Sequence, residues 1–251
     1  MTLYNGLMTQ VAVDRVIWNY REIRGSGTPI VILHGWGRSG AEWESMGKYL
    51  HDNTGRTVLI PDLPGFGGTG IYQNIIDIYD YTKALVGWMT YLDIKRASIV
   101  GHSLGGRMAV VLGARYPTLV ESLILVAPAA VKPMTLRRIL LRPLRTISRL
   151  IPSRIRESVS RNVSDVDGQN IKLRELYKAV VKYDLTNELA KIKSSTLVVW
   201  GERDPILPLG LLSIYKKHLP NARVRVVWEA GHDPHLSNFR DLSRIVEEVW
   251  I

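Results

Sequence analysis

Short apolar runs alternate with longer, helically spaced stretches along most of the chain. Pro29-Ile30-Val31-Ile32-Leu33 is an unbroken apolar run ending in a glycine-rich turn, and Arg56 to Ile60, Ala97 to Val100 and Ser122 to Val126 share the pattern. Unbroken runs, rather than alternating ones, fit strands covered on both faces, as in a parallel sheet. Between them, 79–92 and 104–115 carry helical spacing. Segment 11–23 alternates more regularly and predicts an edge hairpin. After Lys193 the same pattern resumes: Thr196 to Trp200 and Val224 to Trp228 read as strands, 210–219 as a helix, and 238–250 as a closing amphipathic helix. Strand–helix alternation of this kind predicts a layered α/β fold.

Composition sharpens this picture. The 251 residues are 46% hydrophobic, enough to bury a full core. Cysteine is absent, which excludes a disulfide framework, a cysteine nucleophile and thiolate metal sites. No apolar run approaches the ~20 residues that cross a bilayer. The start, Met1 to Gly6, lacks a basic region followed by an apolar stretch, so a cytoplasmic location is expected. The net charge of +10 is unevenly placed: Val131 to Lys193 holds 15 Lys and Arg against 6 Asp and Glu. The expected organisation is therefore an α/β core over 1–128 and 194–251, interrupted by a basic helical insertion at 129–193.

The most informative motif is Gly101-His102-Ser103-Leu104-Gly105, which follows a predicted strand and opens a predicted helix. It fits G-x-S-x-G, in which a sharp turn exposes the serine hydroxyl and leaves no room for side chains two residues away on either side. A serine needs a base and an orienting acid. Asp204 lies in the loop beyond one downstream strand and His232 directly after the next, in the order Ser, acid, His. Strand carboxyl ends are where open α/β sheets place ligands. Glu202 and Asp233 rival Asp204, and His235 rivals His232; solvated loop positions suit the rival carboxylates better. The expected oxyanion donors are the backbone N–H groups of Leu104 and of Trp36, in the loop His34-Gly35-Trp36-Gly37. Trp43 reads as packing.

With these residues on the page, the chain resembles the α/β-hydrolase superfamily over essentially its whole length. The His34-Gly35 loop, Pro61-Asp62-Leu63-Pro64-Gly65-Phe66-Gly67, the Ser103 turn, the Asp204 loop and Gly231-His232 fall in family order. The resemblance implies an eight-stranded, mostly parallel sheet with helices on both faces and an inserted helical cap, and a cofactor-free serine hydrolase. Ser103 stands where haloalkane dehalogenases and epoxide hydrolases carry Asp. The loops at His34 and Leu63 are also similar to those of pimeloyl-ACP methyl ester esterases, although His102 replaces a Trp common there. The expected activity is cleavage of a carboxylic ester through an acyl-enzyme on Ser103, with carrier-protein methyl ester hydrolysis or C–C bond hydrolysis on the same triad as alternatives and a slow-turnover small-molecule sensor as the non-enzyme alternative.

Two features remain. Gly65-Phe66-Gly67-Gly68-Thr69-Gly70 fits G-x-G-x-x-G, but Pro61 and Pro64 precede it and a β-branched run follows, so a dinucleotide site is rejected. No metal-ligand spacing is apparent. In the insertion, Leu136, Ile139, Leu140, Leu144, Ile147, Leu150 and Ile151 share one helical stripe, while Arg138, Arg142, Arg145 and Arg149 face the other way, with Pro143 as a kink. The bland interpretation is a lid with a solvated Arg face. The sharper ones are docking to an acidic carrier protein or to an anionic membrane; nucleic acid lacks any supporting motif. Gly35, His102, Leu136 and Leu140 are the expected substrate contacts.

Overall fold

The computed structural model describes residues 7–70, 77–132, 171–219 and 221–250. Eight strands form one sheet: β1 (Leu7–Val13), β2 (Val16–Ile23), β3 (Ser26–Leu33), β4 (Arg56–Pro61), β5 (Ala97–His102), β6 (Val120–Val126), β7 (Ser195–Gly201) and β8 (Ala222–Val227). Their spatial order is β1-β2-β4-β3-β5-β6-β7-β8. β1 and β2 form the expected edge hairpin, turning through Asp14 and Arg15, both at positive φ. β2 pairs antiparallel with β4, and all remaining pairs are parallel.

The unbroken apolar runs have a direct structural cause. Strand side chains alternate between faces, and here both faces are covered. Val31, Leu33, Ile99, Leu123, Leu125, Val198 and Trp200 join one core cluster, whereas Ile30, Ile32, Val100, Ile124, Val126, Leu197 and Val199 join the other. The first face is covered by α2 (Ile78–Tyr91), α3 (Leu104–Arg115), α4 (Ile171–Val180), α5 (Thr186–Leu189) and α6 (Leu212–His218). The second is covered by α1 (Glu44–Thr54) and α8 (Phe239–Glu247), the latter preceded by the one-turn α7 (Pro234–Ser237).

One helix has no counterpart in the sequence pattern. α1 buries Met46, Gly47 and Leu50, a stripe with a glycine at its centre. Gly47 belongs to that stripe because a Cβ there would lie 2.7 Å from Ile60 Cδ1. Its end is marked by Gly55 in the left-handed region (φ 66°), whose N–H bonds the His51 carbonyl.

β3 and β5 are neighbours, and the chain leaves β3 towards β4 on one side of the pair and β5 towards β6 on the other. The carboxyl ends of β3 and β5 therefore flank a topological switch point, where such sheets form a crevice. The loops after β3, β5, β7 and β8 carry the residues singled out above. Of the insertion expected at 129–193, residues 133–170 lie outside the described part, and with them Leu136, Leu140, Arg138, Arg142, Arg145 and Arg149. Among the described residues, no helix is long and apolar enough to cross a membrane.

Candidate active site

β5 delivers Ser103 onto a turn with φ 50° and ψ −106°, a backbone conformation strained for a residue with a Cβ. The glycine spacing around it is steric. A Cβ on Gly101 would lie 2.5 Å from the Gly105 carbonyl oxygen, and one on Gly105 would lie 2.2 Å from that of Leu33. The turn is held by the Ser103 N–H donating to the Val126 carbonyl (3.1 Å) and by the Ser103 carbonyl accepting from Arg107 and Ala129. Leu104 is the first residue of α3, so its N–H has no intrahelical acceptor.

Asp204 is buried beyond β7, its side chain wholly shielded from solvent. Its Oδ1 accepts from the N–H groups of Ile206 and Leu207, both at 2.8 Å, and its Oδ2 accepts from His232 Nδ1 at 2.8 Å. A carboxylate can only accept, so Nδ1 carries the proton and Nε2 presents a lone pair. Among the described residues, Ser103 Oγ makes no hydrogen bond to His232, a bond that often tightens only when substrate is present.

The rivals are engaged elsewhere. Glu202 accepts the Glu229 N–H and lies near Arg203. Asp233 pairs with Arg38 at 2.9 Å. His235 lies flat on Trp43, ring centroids 4.2 Å apart, and both are buried. Burial pushes the His235 imidazole down to about 3 and holds it neutral.

The loop after β3 is set by His34. Its Nε2 accepts the Leu63 N–H at 2.8 Å, so its Nδ1 carries the proton and donates to the Gly35 carbonyl at 2.8 Å. Burial lowers this imidazole to about 4. Gly35 permits close approach, since a Cβ there would lie 3.0 Å from His102 Nδ1 and 3.4 Å from Ser103 Cβ. The Trp36 ring packs edge-on against Phe66 (4.9 Å) and Tyr177 of α4 (5.0 Å), forming an aromatic wall beside its own backbone N–H.

His102 departs from expectation. It is 1% exposed and therefore cannot touch substrate; its Nε2 instead meets the His232 carbonyl at 2.9 Å. Leu136 and Leu140, the other expected contacts, lie outside the described residues.

Two roles had no sequence signal of their own. Asp62 is buried and accepts from Asn19 Nδ2 (2.8 Å), Gly40 N–H (2.7 Å), Gly68 N–H (2.8 Å) and Arg21 (3.3 Å). Burial raises its carboxyl, but these donors outweigh it and the net shift is downward. Asp62 thereby fixes the Gly65 to Gly70 loop, a compact turn in which no helix begins. Second, His102, Asp233 and His235 converge, with candidate ligand atoms within 4.8 Å of one another. They make a poor metal centre. His102 Nε2 must carry a proton to donate to the His232 carbonyl, and the Arg38 guanidinium already neutralises Asp233.

The family model described as "Alpha/beta hydrolase family" matches residues 30–245. Monoacylglycerol lipase ABHD6 of Rattus norvegicus is 26% identical to this chain, covering 91% of it and 77% of the relative. Among solved structures, an esterase (EaEST) from Exiguobacterium antarcticum aligns with a TM-score of 0.73 at 18% identity, over 97% of this chain and 99% of that one. The meta-cleavage product hydrolase (CumD) from Pseudomonas fluorescens IP01 aligns at 0.72 with 20% identity, over 96% and 97%. At such identities the structural likeness shows the fold alone.

Proposed function

The chain belongs to the alpha/beta hydrolase family, and from that membership we propose that it is a serine carboxylic-ester hydrolase working through an acyl-enzyme on Ser103. Ser103 Oγ attacks the ester carbonyl while His232 Nε2 takes its proton. Asp204 holds the imidazole tautomer and stabilises the imidazolium that forms. The N–H groups of Leu104 and Trp36 receive the charge developing on the carbonyl oxygen. The imidazolium returns its proton to the leaving alcohol, and the C–O bond breaks. Water, deprotonated by His232, then attacks the acyl-enzyme and releases the acid and free Ser103.

The observation that carries this reading is the 2.8 Å contact of His232 Nδ1 with a carboxylate whose other oxygen is already saturated by two backbone donors. That arrangement leaves the ring one way to face and one nitrogen to act as base. The aromatic wall of Trp36, Phe66 and Tyr177, together with the similarity to a monoacylglycerol lipase, favours an ester with an apolar acyl chain. Hydrolysis of p-nitrophenyl esters from C2 to C16 tests this. The wild type should turn over with an optimum above the shortest chains, and Ser103→Ala should lose on the order of 10⁴-fold or more. A folded wild type inactive on every ester would defeat the reading.

A further inference from the structure

We propose that His102 is a positioning residue for the hydrolytic base: its Nε2–H donates to the His232 carbonyl and ties the base loop to the residue preceding the nucleophile. This rests on the reading of His232 as base given above.

The bond is 2.9 Å long and joins positions 130 apart in sequence. A carbonyl oxygen can only accept, so the tautomer is fixed: Nε2 protonated, Nδ1 bare. Nδ1 faces the Gly35 backbone and has no partner among the described residues. The ring is packed 5.0 Å from His232 and 4.8 Å from His235, centroid to centroid. The charged or titratable groups around it are His232 and Asp233 from the loop after β8, His235 from α7 and Arg38 from the loop after β3. Burial first, then the neighbouring imidazoles, lowers its basicity well below that of a free histidine. The ring therefore stays neutral and keeps this tautomer at working pH.

The base loop is held on the β7 side by its backbone: the Gly231 carbonyl lies so close to Gly201 that a Cβ on Gly201 would come within 2.0 Å of it, and the Arg203 N–H donates to the Ala230 carbonyl at 2.9 Å. What sets the loop against the nucleophile is separate. On the other side, Asp233 is held by Arg38 at 2.9 Å. His102 thus supplies the elbow's half of a two-point anchor, and Arg38 the oxyanion loop's half. Because His102 is bonded covalently to Ser103, any shift of its ring moves nucleophile and base relative to one another. A misplacement of about 1 Å in such a pair costs on the order of 100-fold in rate.

The test compares His102→Leu, which removes the donor, with His102→Gln, whose amide nitrogen reaches the Nε2 position, and His102→Asn, whose amide falls short. On a p-nitrophenyl ester, Leu and Asn should lose about 10- to 100-fold in kcat with KM within about threefold. Gln should recover to within about fivefold of wild type. In proton NMR, the downfield Nδ1–H resonance of His232 should shift or broaden in Leu and Asn and return in Gln. Wild-type kcat and an unmoved resonance in Leu or Asn would overturn the proposal, as would Gln being as impaired as Asn. Ser103→Ala separates the two ideas. If it retains wild-type hydrolysis, the hydrolase reading fails, while the His232 resonance still judges His102.

Discussion

At the scale of single residues, Asp204 illustrates how a side chain is chosen by its bonds rather than by its type. Glu202, Asp204 and Asp233 all sit on loops that could supply the acid, yet Asp204 is the one fully shielded and bonded to the His232 ring. Asp204→Asn keeps the shape but lets the amide donate to Nδ1, which forces the proton onto Nε2 and removes the base. The expected loss in kcat is about 10⁴-fold at neutral pH, with the melting temperature little changed; a loss under tenfold would show that Asp204 does not orient the base. The serine turn was legible because its glycines sit at fixed offsets from the serine, even though Gly105 answers to the Leu33 carbonyl on another strand. The roles of His34, Asp62 and His102 were not, since their partners lie 29, 43 and 130 positions away. A sequence places those residues on loops but does not say which loops meet.

At the scale of elements, a buried guanidinium ties α3 to both ends of segment 129–193. Arg107 is 2% exposed and donates to the carbonyl of Ala129 at 2.7 Å, on the chain leaving β6, and to that of Tyr183, on the chain returning. Burial lowers it to about 10, so it remains charged at neutral pH. Tyr215 of α6 supports the same corner, donating to the Pro128 carbonyl at 2.6 Å. Arg107→Met fits the volume but leaves two half-buried carbonyls without their charged donor, each costing about 1–2 kcal/mol, the lower part of the range for buried groups. Urea unfolding should therefore show a loss of roughly 2–4 kcal/mol, and a change below about 0.5 kcal/mol would contradict this role. Strands were legible because two-sided burial writes an unbroken apolar run. α1 was not, because its buried stripe contains a glycine fitted to Ile60. The one early sign of it was Gly55 just past its end.

At the scale of the whole molecule, half of the net charge of +10 lies in 133–170, outside the described residues, and the rest is spread over the described ones. The interior also holds three neutral imidazoles: His34, lowered to about 4, His235, to about 3, and His102, which burial holds well below its usual range. An unfolded chain takes up protons on all three below about pH 6.5. The folded chain does not until well below that. The unfolded state then binds up to three more protons, so stability falls as pH drops from about 6.5 towards 4. Asp62 acts in a lower window, its lowered carboxyl contributing stability above about pH 3.9 that is lost below it. Unfolding free energy measured from pH 7 to 4.5 should decline with a slope approaching three protons. His235→Phe should remove one of them while preserving the stack on Trp43. A flat profile would contradict the burial of these rings in neutral form.

These scales meet at one hydroxyl, and one measurement addresses it most directly. A fluorophosphonate ester presented to the folded protein should phosphonylate Ser103, seen as a single adduct on the peptide carrying that residue in mass spectrometry. The adduct should be absent in Ser103→Ala and strongly slowed in His232→Ala. No adduct on the folded wild type, or an adduct on another residue that survives Ser103→Ala, would contradict the account of Ser103 as the activated nucleophile.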